Sequence, residues 1–359
     1  MLSVTSLSLT DFRNYASRQF RFEQRIVCIC GNNGAGKTNL LDAIHYLCFT
    51  KSYFTRDAQA VRHGSAGFRI EAEFMRLEKP ERAVCVLREN GRKEFLVDGI
   101  VVERFSKHIG HYPCVIIAPD DSILITGGSE ERRRFIDSIL SQLDNEYLQQ
   151  LIAHNRVLQQ RNSWLLSLAE TRSSDYSVLD VLDEQLAGFS GFLFDRRKEF
   201  FVHFLPRVNR LYQEIARRHE QLELFYESQL LDVDVRALLR ASRAKDLQAA
   251  RTTAGIHRDE LQMNLDSRPF RSIASQGQRK SLLFALKLAE LQVLQEQKKF
   301  PPLLLLDDVF EKLDEERINN LLKKVCIENE GQVFITDTNE QRLRSHLERI
   351  GAGFQLIHL

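Results

Sequence analysis

Three textures follow one another along the chain. Residues 2–120 carry short apolar–polar alternations of period two, interrupted by one helical interval. The segments 3–9, 25–30, 68–74, 83–88 and 93–97 are predicted as strands. Asp98-Gly99, lying between Phe95-Leu96-Val97 and Ile100-Val101-Val102, reads as a hairpin turn because both residues tolerate positive φ. Cys114-Val115-Ile116-Ile117 reads as a buried strand ended by Ala118-Pro119. From about Ser129 to about Ala250 the period becomes helical. Leu179, Leu182, Leu186, Phe189, Leu193, Phe200 and Phe204 recur at three- to four-residue steps with one gap of seven, an apolar stripe for helix–helix packing. Pro206 is expected to kink or break that helix. The last third returns to α/β: helix 278–297, strand 303–306, helix 314–326, strand 332–336 and helix 340–350. An α/β head split by a helical insertion follows, with parts 1–125, 126–250 and 251–359.

Composition narrows the class. At 359 residues two domains are expected, and 43% hydrophobic with 28% charged residues is ordinary for a soluble globular chain. A net charge of +1 excludes a uniformly basic protein, so any nucleic-acid role must come from local patches. The clusters Arg132-Arg133-Arg134, Arg196-Arg197-Lys198 and Arg217-Arg218 are interleaved with acids, and each alone reads as a solvated helical face. The six cysteines are scattered without a C-x-x-C pair, a reduced, cytoplasmic pattern and neither a disulfide framework nor a zinc site. Met1-Leu2-Ser3-Val4-Thr5 alternates like a strand and lacks a signal-peptide core. No apolar run approaches the ~18 residues of a membrane span, so no membrane partner is expected.

The chemistry is concentrated in two places. Gly31-Asn32-Asn33-Gly34-Ala35-Gly36-Lys37-Thr38 matches G-x-x-x-x-G-K-[ST]. The apolar run Ile26-Val27-Cys28-Ile29-Cys30 leads in, and an amphipathic stretch from Asn39 to Leu47 leads out. Strand, glycine loop and helix is the context of a phosphate site: glycines let backbone N–H groups converge on phosphate oxygens, and the helix N-terminus adds a favourable field. Lys37 is expected to reach the β- and γ-phosphates of ATP, and the Thr38 hydroxyl to hold Mg²⁺. Far downstream, Leu303-Leu304-Leu305-Leu306 ends in Asp307-Asp308, the pattern of a buried parallel strand with acids at its carboxyl end. Asp307 is read as the Mg²⁺ ligand and Asp308 as the base for the attacking water. Roughly 270 residues separate Thr38 from Asp307, against ~30 in one βαβ unit. Something large is inserted between the two halves of the site.

Ser275-Gln276-Gly277-Gln278-Arg279-Lys280 opens an apolar helix shortly before the aspartate strand. It resembles the signature motif of ABC-type ATPases, in which a serine, a glycine and a helix start bind the γ-phosphate of a nucleotide held by the other subunit. Standing alone it is equally an N-cap by Ser275. Glu311-Lys312-Leu313-Asp314 occupies the place of the ABC D-loop. Further motifs are Asp11-Phe12-Arg13-Asn14-Tyr15, Ala118-Pro119-Asp120-Asp121 followed by Gly128, Arg132-Arg133-Arg134-Phe135 and Asp137, and Gly255-Ile256-His257-Arg258-Asp259-Glu260. Taken jointly over essentially the full length, the chain resembles the RecF family of bacterial recombinational-repair ATPases, related to Rad50 and SMC heads.

The resemblance implies an ABC-type P-loop ATPase head with a helical lobe and no long coiled coil. It implies a slow, ATP-dependent switch that binds single- and double-stranded DNA at gaps and works with RecO and RecR to help RecA load. By the same resemblance Arg13 and Asn14 lie near the nucleotide with the 31–38 loop, and Ser275, Gln276, Gly277 and Gln278 with Asp314 complete the site of a partner in an ATP-dependent homodimer. Three departures stand out. Asp308 replaces the glutamate of ABC transporters, which suits slow hydrolysis. Phe334-Ile335-Thr336-Asp337-Thr338 stands where the switch histidine would be, which argues against γ-phosphate sensing by Thr336 or Asp337. Ile256 replaces a proline common in the family, and His257, a lone histidine, receives no role. Two competing readings are a transporter nucleotide-binding subunit, disfavoured by the helical insert, and a nucleotide-gated scaffold whose output is partner binding. A GTPase is disfavoured because no N-K-x-D sequence appears.

Overall fold

The computed structural model describes residues 1–171, 175–216, 220–310 and 315–359. Arg217-Arg218 and the 311–314 segment, Asp314 included, lie outside the described residues. The chain divides into two compact units. One contains Met1–Asp121, Glu214–Arg217 and Lys280–Leu359; the other contains Ser122–Gln213 and Arg218–Arg279. The expected boundary near 125 therefore falls at 121. The expected boundary at 250 moves to 279, because Glu260–Leu265 pairs with Leu222–Glu227 in a small antiparallel sheet of the second unit.

The first unit is built on two sheets. Five parallel strands run in the order Gln355–His358, Ile26–Cys30, Val333–Asp337, Leu303–Leu306, Cys114–Ile117. The middle three consist wholly of buried residues, as expected of strands covered on both faces. Six antiparallel strands form the other sheet, in the order Tyr15–Arg21, Leu2–Phe12, Phe68–Arg76, Lys79–Leu87, Lys93–Val97, Ile100–Val101. The last two join through Asp98 and Gly99 at φ 51° and 80°, the positive values that the turn requires. The helix Lys37–Phe49 shares one apolar core with residues of both sheets. It is consequently buried on all sides, not amphipathic as its sequence suggests, and even Asp42 and His45 are enclosed. All six cysteines are free and buried.

The second unit packs the helices Ser129–Leu143, Asn145–Thr171, Ser177–Ala216 and Val235–Ala249 with a three-stranded sheet. The uniform helical reading of 129–250 missed Leu222–Glu227, whose period-two burial is visible in Leu-Glu-Leu-Phe-Tyr-Glu. The 40-residue helix Ser177–Ala216 is not broken at Pro206. Proline removes the N–H that would bond the Val202 carbonyl and crowds that carbonyl, and Val202 lies on the solvent face, where such a carbonyl is open to hydration.

The solvated-face reading of the arginine clusters also needs correction. Arg197 fills the gap of seven in the apolar stripe and is buried, bonded to Asp137 at 2.8 and 3.0 Å and to Asp259 at 3.1 Å. Arg132 is buried on Glu260 through two hydrogen bonds of 2.6 and 2.8 Å. Arg134 does face solvent, paired with Glu130 and Glu131 on its own helix. A helix periodicity of 3.6 sends neighbouring residues to different faces, so a run of three arginines is never one environment.

Candidate nucleotide site

The strand Ile26–Cys30 ends at Gly31, and the helix begins at Lys37 with Gly36 as its N-cap. Gly34 and Gly36 take φ values of 81° and 112°. At Gly36 a side chain is excluded twice over: a Cβ there would lie 2.7 Å from the Asn14 amide nitrogen and 2.8 Å from the Tyr15 hydroxyl. Those two side chains brace the loop. Asn14 Nδ2 donates to the Ala35 carbonyl at 3.0 Å, Tyr15 donates to the Gly36 carbonyl at 3.0 Å, and Asn39 Nδ2 donates to Asn14 Oδ1 at 2.8 Å. No side chain caps the helix, so its first-turn N–H groups keep their capacity for an anion. Lys37 curls back over the loop, its Nζ donating to the Gly31 and Asn32 carbonyls at 2.9 and 3.1 Å.

Arg13 serves the helix more than the loop. Held at φ 54°, it donates from Nη2 to Asp42 Oδ2 at 3.0 Å, and Asp42 also accepts from Ser52 and from the Tyr53 backbone. The buried carboxylate that looks misplaced in an apolar helix is thus the anchor of the Asp11–Tyr15 motif.

Strand order brings the distant aspartate to the loop. Thr38 Oγ1 donates to Asp307 Oδ2 at 2.9 Å and lies 3.0 Å from Oδ1, joining residues 269 positions apart. Between the two strands runs Val333–Asp337, whose Thr336 hydroxyl donates to Asp307 Oδ1 at 2.8 Å and accepts from the Asp308 backbone N–H at 2.9 Å. Sequence reasoning disfavoured Thr336 as a sensor and missed its contact with Asp307, which follows only from the inserted strand. Asp337 is bonded to Arg342, with both contacts at 2.8 Å. Asp308 sits at φ 45°, a left-handed turn that aspartate tolerates, directly after the Asp307 strand end.

Burial pushes the Asp307 carboxyl above the usual carboxylate range, against the hydrogen bonds from Thr336 and Thr38 and the charge of Lys37. The nearby Asp120 pushes the same way and is a further acid of the site that sequence reasoning quoted without a role. A divalent cation among these oxygens would reverse that shift, so the donor set fits Mg²⁺. Among the described residues no three His, Cys, Asp or Glu side chains converge to hold a metal unaided. Mg²⁺ takes one or two carboxylates and completes its shell with water and phosphate oxygens.

Ser275, Gln276, Gly277 and Gln278 belong to the other unit. There Ser275 Oγ accepts from the Gln278 backbone N–H at 3.2 Å while Gln278 Oε1 accepts from the Ser275 backbone N–H at 2.8 Å. This reciprocal capping box starts the helix Gln276–Lys298.

A family model described as an AAA domain matches residues 6–350. A protein of Flavobacterium johnsoniae named DNA replication and repair protein RecF is 40% identical over 359 residues, 100% of each chain. Among solved structures, one described as the recombination mediator protein RecF-ATPrS in the RecFOR pathway has a TM-score of 0.86 at 28% identity, covering 94% of this chain and 93% of that one. The Smc head domain of Pyrococcus furiosus, solved with the C-terminal domain of ScpA, shares the fold alone: TM-score 0.56 at 16% identity, over 96% and 92% of the two chains. The α/β architecture is that of an ABC-type head of the RecF and Smc kind. With a full-length relative at this identity, the chain belongs to the RecF family of DNA replication and repair proteins.

Proposed function

We propose that this chain is a slow, Mg²⁺-dependent ATPase whose ATP-bound homodimer clamps DNA at gaps. The observation that carries the reading is the Thr38–Asp307 contact, which joins a glycine-loop phosphate cradle to a buried strand-end acid across most of the chain. The solved relatives named RecF-ATPrS and RecF-ATP support the choice of nucleotide.

In this reading the 31–38 backbone and Lys37 hold the phosphates, while Thr38 and Asp307 would hold Mg²⁺, which would supply neutralisation of phosphate charge. Thr336 keeps Asp307 oriented through its hydroxyl. Asp308 orients the attacking water and accepts its proton. Arg13 and Asn14 keep the loop and helix in register. Ser275, Gln276, Gly277, Gln278 and Asp314 act on the nucleotide of a second copy. Two heads then present one basic surface that contacts DNA phosphates without reading bases, so binding weakens steeply with salt. RecO and RecR are the protein partners and RecA loading the outcome, in the cytoplasm. No helix among the described residues is long and apolar enough to cross a membrane.

The test is Lys37→Met, with ATP binding and circular dichroism measured together. ATP affinity is expected to fall by roughly 10- to 100-fold, the worth of a hydrogen bond from a charged group, with the helical signal unchanged. Undiminished affinity overturns the assignment.

A further inference from the structure

The helical unit contains a charged recess that the nucleotide site does not use. It is a cleft of about 310 Å³ where the helices Ser129–Leu143, Asn145–Thr171 and Ser177–Ala216 meet the turn Ile256–Arg258. Two of its arginines are matched inside the chain, Arg134 by Glu130 and Arg197 by Asp137 and Asp259. Arg133 is not. Among the described residues it has no carboxylate within ion-pair reach, and its hydrogen bond runs from Nη1 to the main-chain oxygen of Asp259 at 2.6 Å. Burial first, and the neighbouring Arg197 second, work against its charge, while Glu260, Asp259 and Glu130 support it from beyond contact distance without offsetting the burial.

Two imidazoles complete the lining. His154 is only 2% exposed; its Nδ1 lies 3.3 Å from Asn155 Oδ1, while its buried Nε2 has no hydrogen-bond partner. His257 has Nε2 3.3 Å from the Thr252 carbonyl. Burial brings both histidines down to about 4. Arg197 adds to this at His154, where Asn155 and Asp137 oppose it, and Arg258, His154 and Arg133 add to it at His257. The recess therefore holds a guanidinium without a direct carboxylate partner and an unpartnered buried ring nitrogen, with cationic neighbours beside both imidazoles. That combination is costly unless an anion enters.

We propose that this cleft binds a phosphate-type oxyanion, with Arg133 as its charge partner and the His154 imidazole, which lines the cleft, as a hydrogen-bond donor once the anion has drawn a proton onto its ring. A guanidinium fork matches phosphate oxygens, and donors arriving from three elements suit a tetrahedral oxyanion better than a planar carboxylate, which one fork satisfies. The bound anion raises the proton affinity of the imidazoles. The complex then binds more protons than the free protein, so affinity rises as pH falls.

The experiment uses the full chain carrying Lys37→Met, so that the 31–38 loop does not compete, with sulfate as a probe that does not itself titrate near neutrality. The His154 ring resonance is followed by NMR. A saturable shift is expected, with sulfate affinity rising up to about tenfold per pH unit for each proton taken up as pH falls from 7 to 5. Arg133→Gln is expected to weaken binding at least tenfold, and His154→Phe to weaken it and flatten the pH dependence. Acetate at equal ionic strength should leave the resonance in place. No saturable shift in the unmutated cleft, equal effects of acetate and sulfate, or unchanged affinity in Arg133→Gln each overturns the proposal; the first readout needs no cleft variant to fold. Displacement of sulfate by a mixed-sequence single-stranded oligonucleotide identifies a phosphodiester as the source. Displacement by inorganic phosphate or ADP alone identifies a free phosphate group. The ATP reading is untouched by either result, since the 31–38 loop is disabled throughout.

Discussion

In the parallel-sheet unit, Lys37 and Asp307 are buried with their nearest partners being carbonyls, hydroxyls and a further acid, Asp120. In the helical unit, Arg161 and Arg197 are buried just as deeply, yet each meets two carboxylates: Asp183 and Asp246 for Arg161, Asp137 and Asp259 for Arg197. The contrast separates two uses of buried charge. Matched within the chain, a charge fastens helices to one another, and its worth appears when one partner is removed. Left without a direct ion pair at the carboxyl edge of a parallel sheet, beside a glycine loop, a charge is open to a ligand, and that edge is where open α/β sheets bind them.

The contrast breaks most visibly at Asp308. Replacement by Asn should leave ATP affinity intact and lower turnover by roughly 10²–10⁴-fold, the range for loss of a general base; normal steady-state hydrolysis would move the base elsewhere. Arg197→Met tests the other side. It strands Asp137 and Asp259, and should cost the fold about 3–5 kcal/mol in chemical denaturation without changing ATP affinity at temperatures where the protein stays folded. A loss of under ~1 kcal/mol would show that the pair is solvated in practice.

Ser275→Arg asks whether the capping box also serves a second copy. The variant is expected to lose about 1 kcal/mol of helix stability, bind ATP normally, and fail to dimerise on adding ATP in sedimentation. Mixed with Lys37→Met it should regain part of its ATPase, because one intact composite site can then form. Survival of ATP-driven dimerisation would leave Ser275 as a helix cap alone.

The smallest effect concerns Glu290, which among the described residues of the parallel-sheet unit is the one carboxyl buried with an oxygen, Oε2, that makes no hydrogen bond, although Lys287 lies 3.9 Å away. Burial raises it to about 7, with Asp121 adding to the shift and Lys287 opposing it. A raised acid contributes stability in full below its unfolded value near 4.5 and loses it as pH rises through about 7. Glu290→Gln should accordingly raise the melting temperature more at pH 8 than at pH 5. An equal gain at both would place the ionised carboxylate in a solvated setting.

Much of the site was legible because its signals are local. Glycines at 34 and 36 must take positive φ, and a strand-loop-helix order needs only the residues that form it. Leu303–Leu306 and Lys93–Val97 stand where their patterns put them. Other features were misread for one common reason. Asp42 in the phosphate-loop helix and Arg197 in the long helix look like solvent-facing residues until their partners, Arg13 for one and Asp137 with Asp259 for the other, arrive from distant segments. Leu222–Glu227 was absorbed into a helical stretch although its alternation was present, because the strand that pairs with it lies outside that stretch.

By itself, then, the sequence determined the phosphate loop, the acid-tipped strand, the signature-like helix start and an α/β frame with a helical insert, since each is a matter of backbone conformation or periodicity over a few turns. Only the tertiary structure decided that Val333–Asp337 lies between the two motif strands and lends Thr336 to Asp307, that residues 251–279 fold with the helical unit, and which arginines are buried. Those outcomes depend on which side chains the chain brings opposite one another across hundreds of residues, and in a buried setting the partner, more than the residue, sets whether a charge is tolerated.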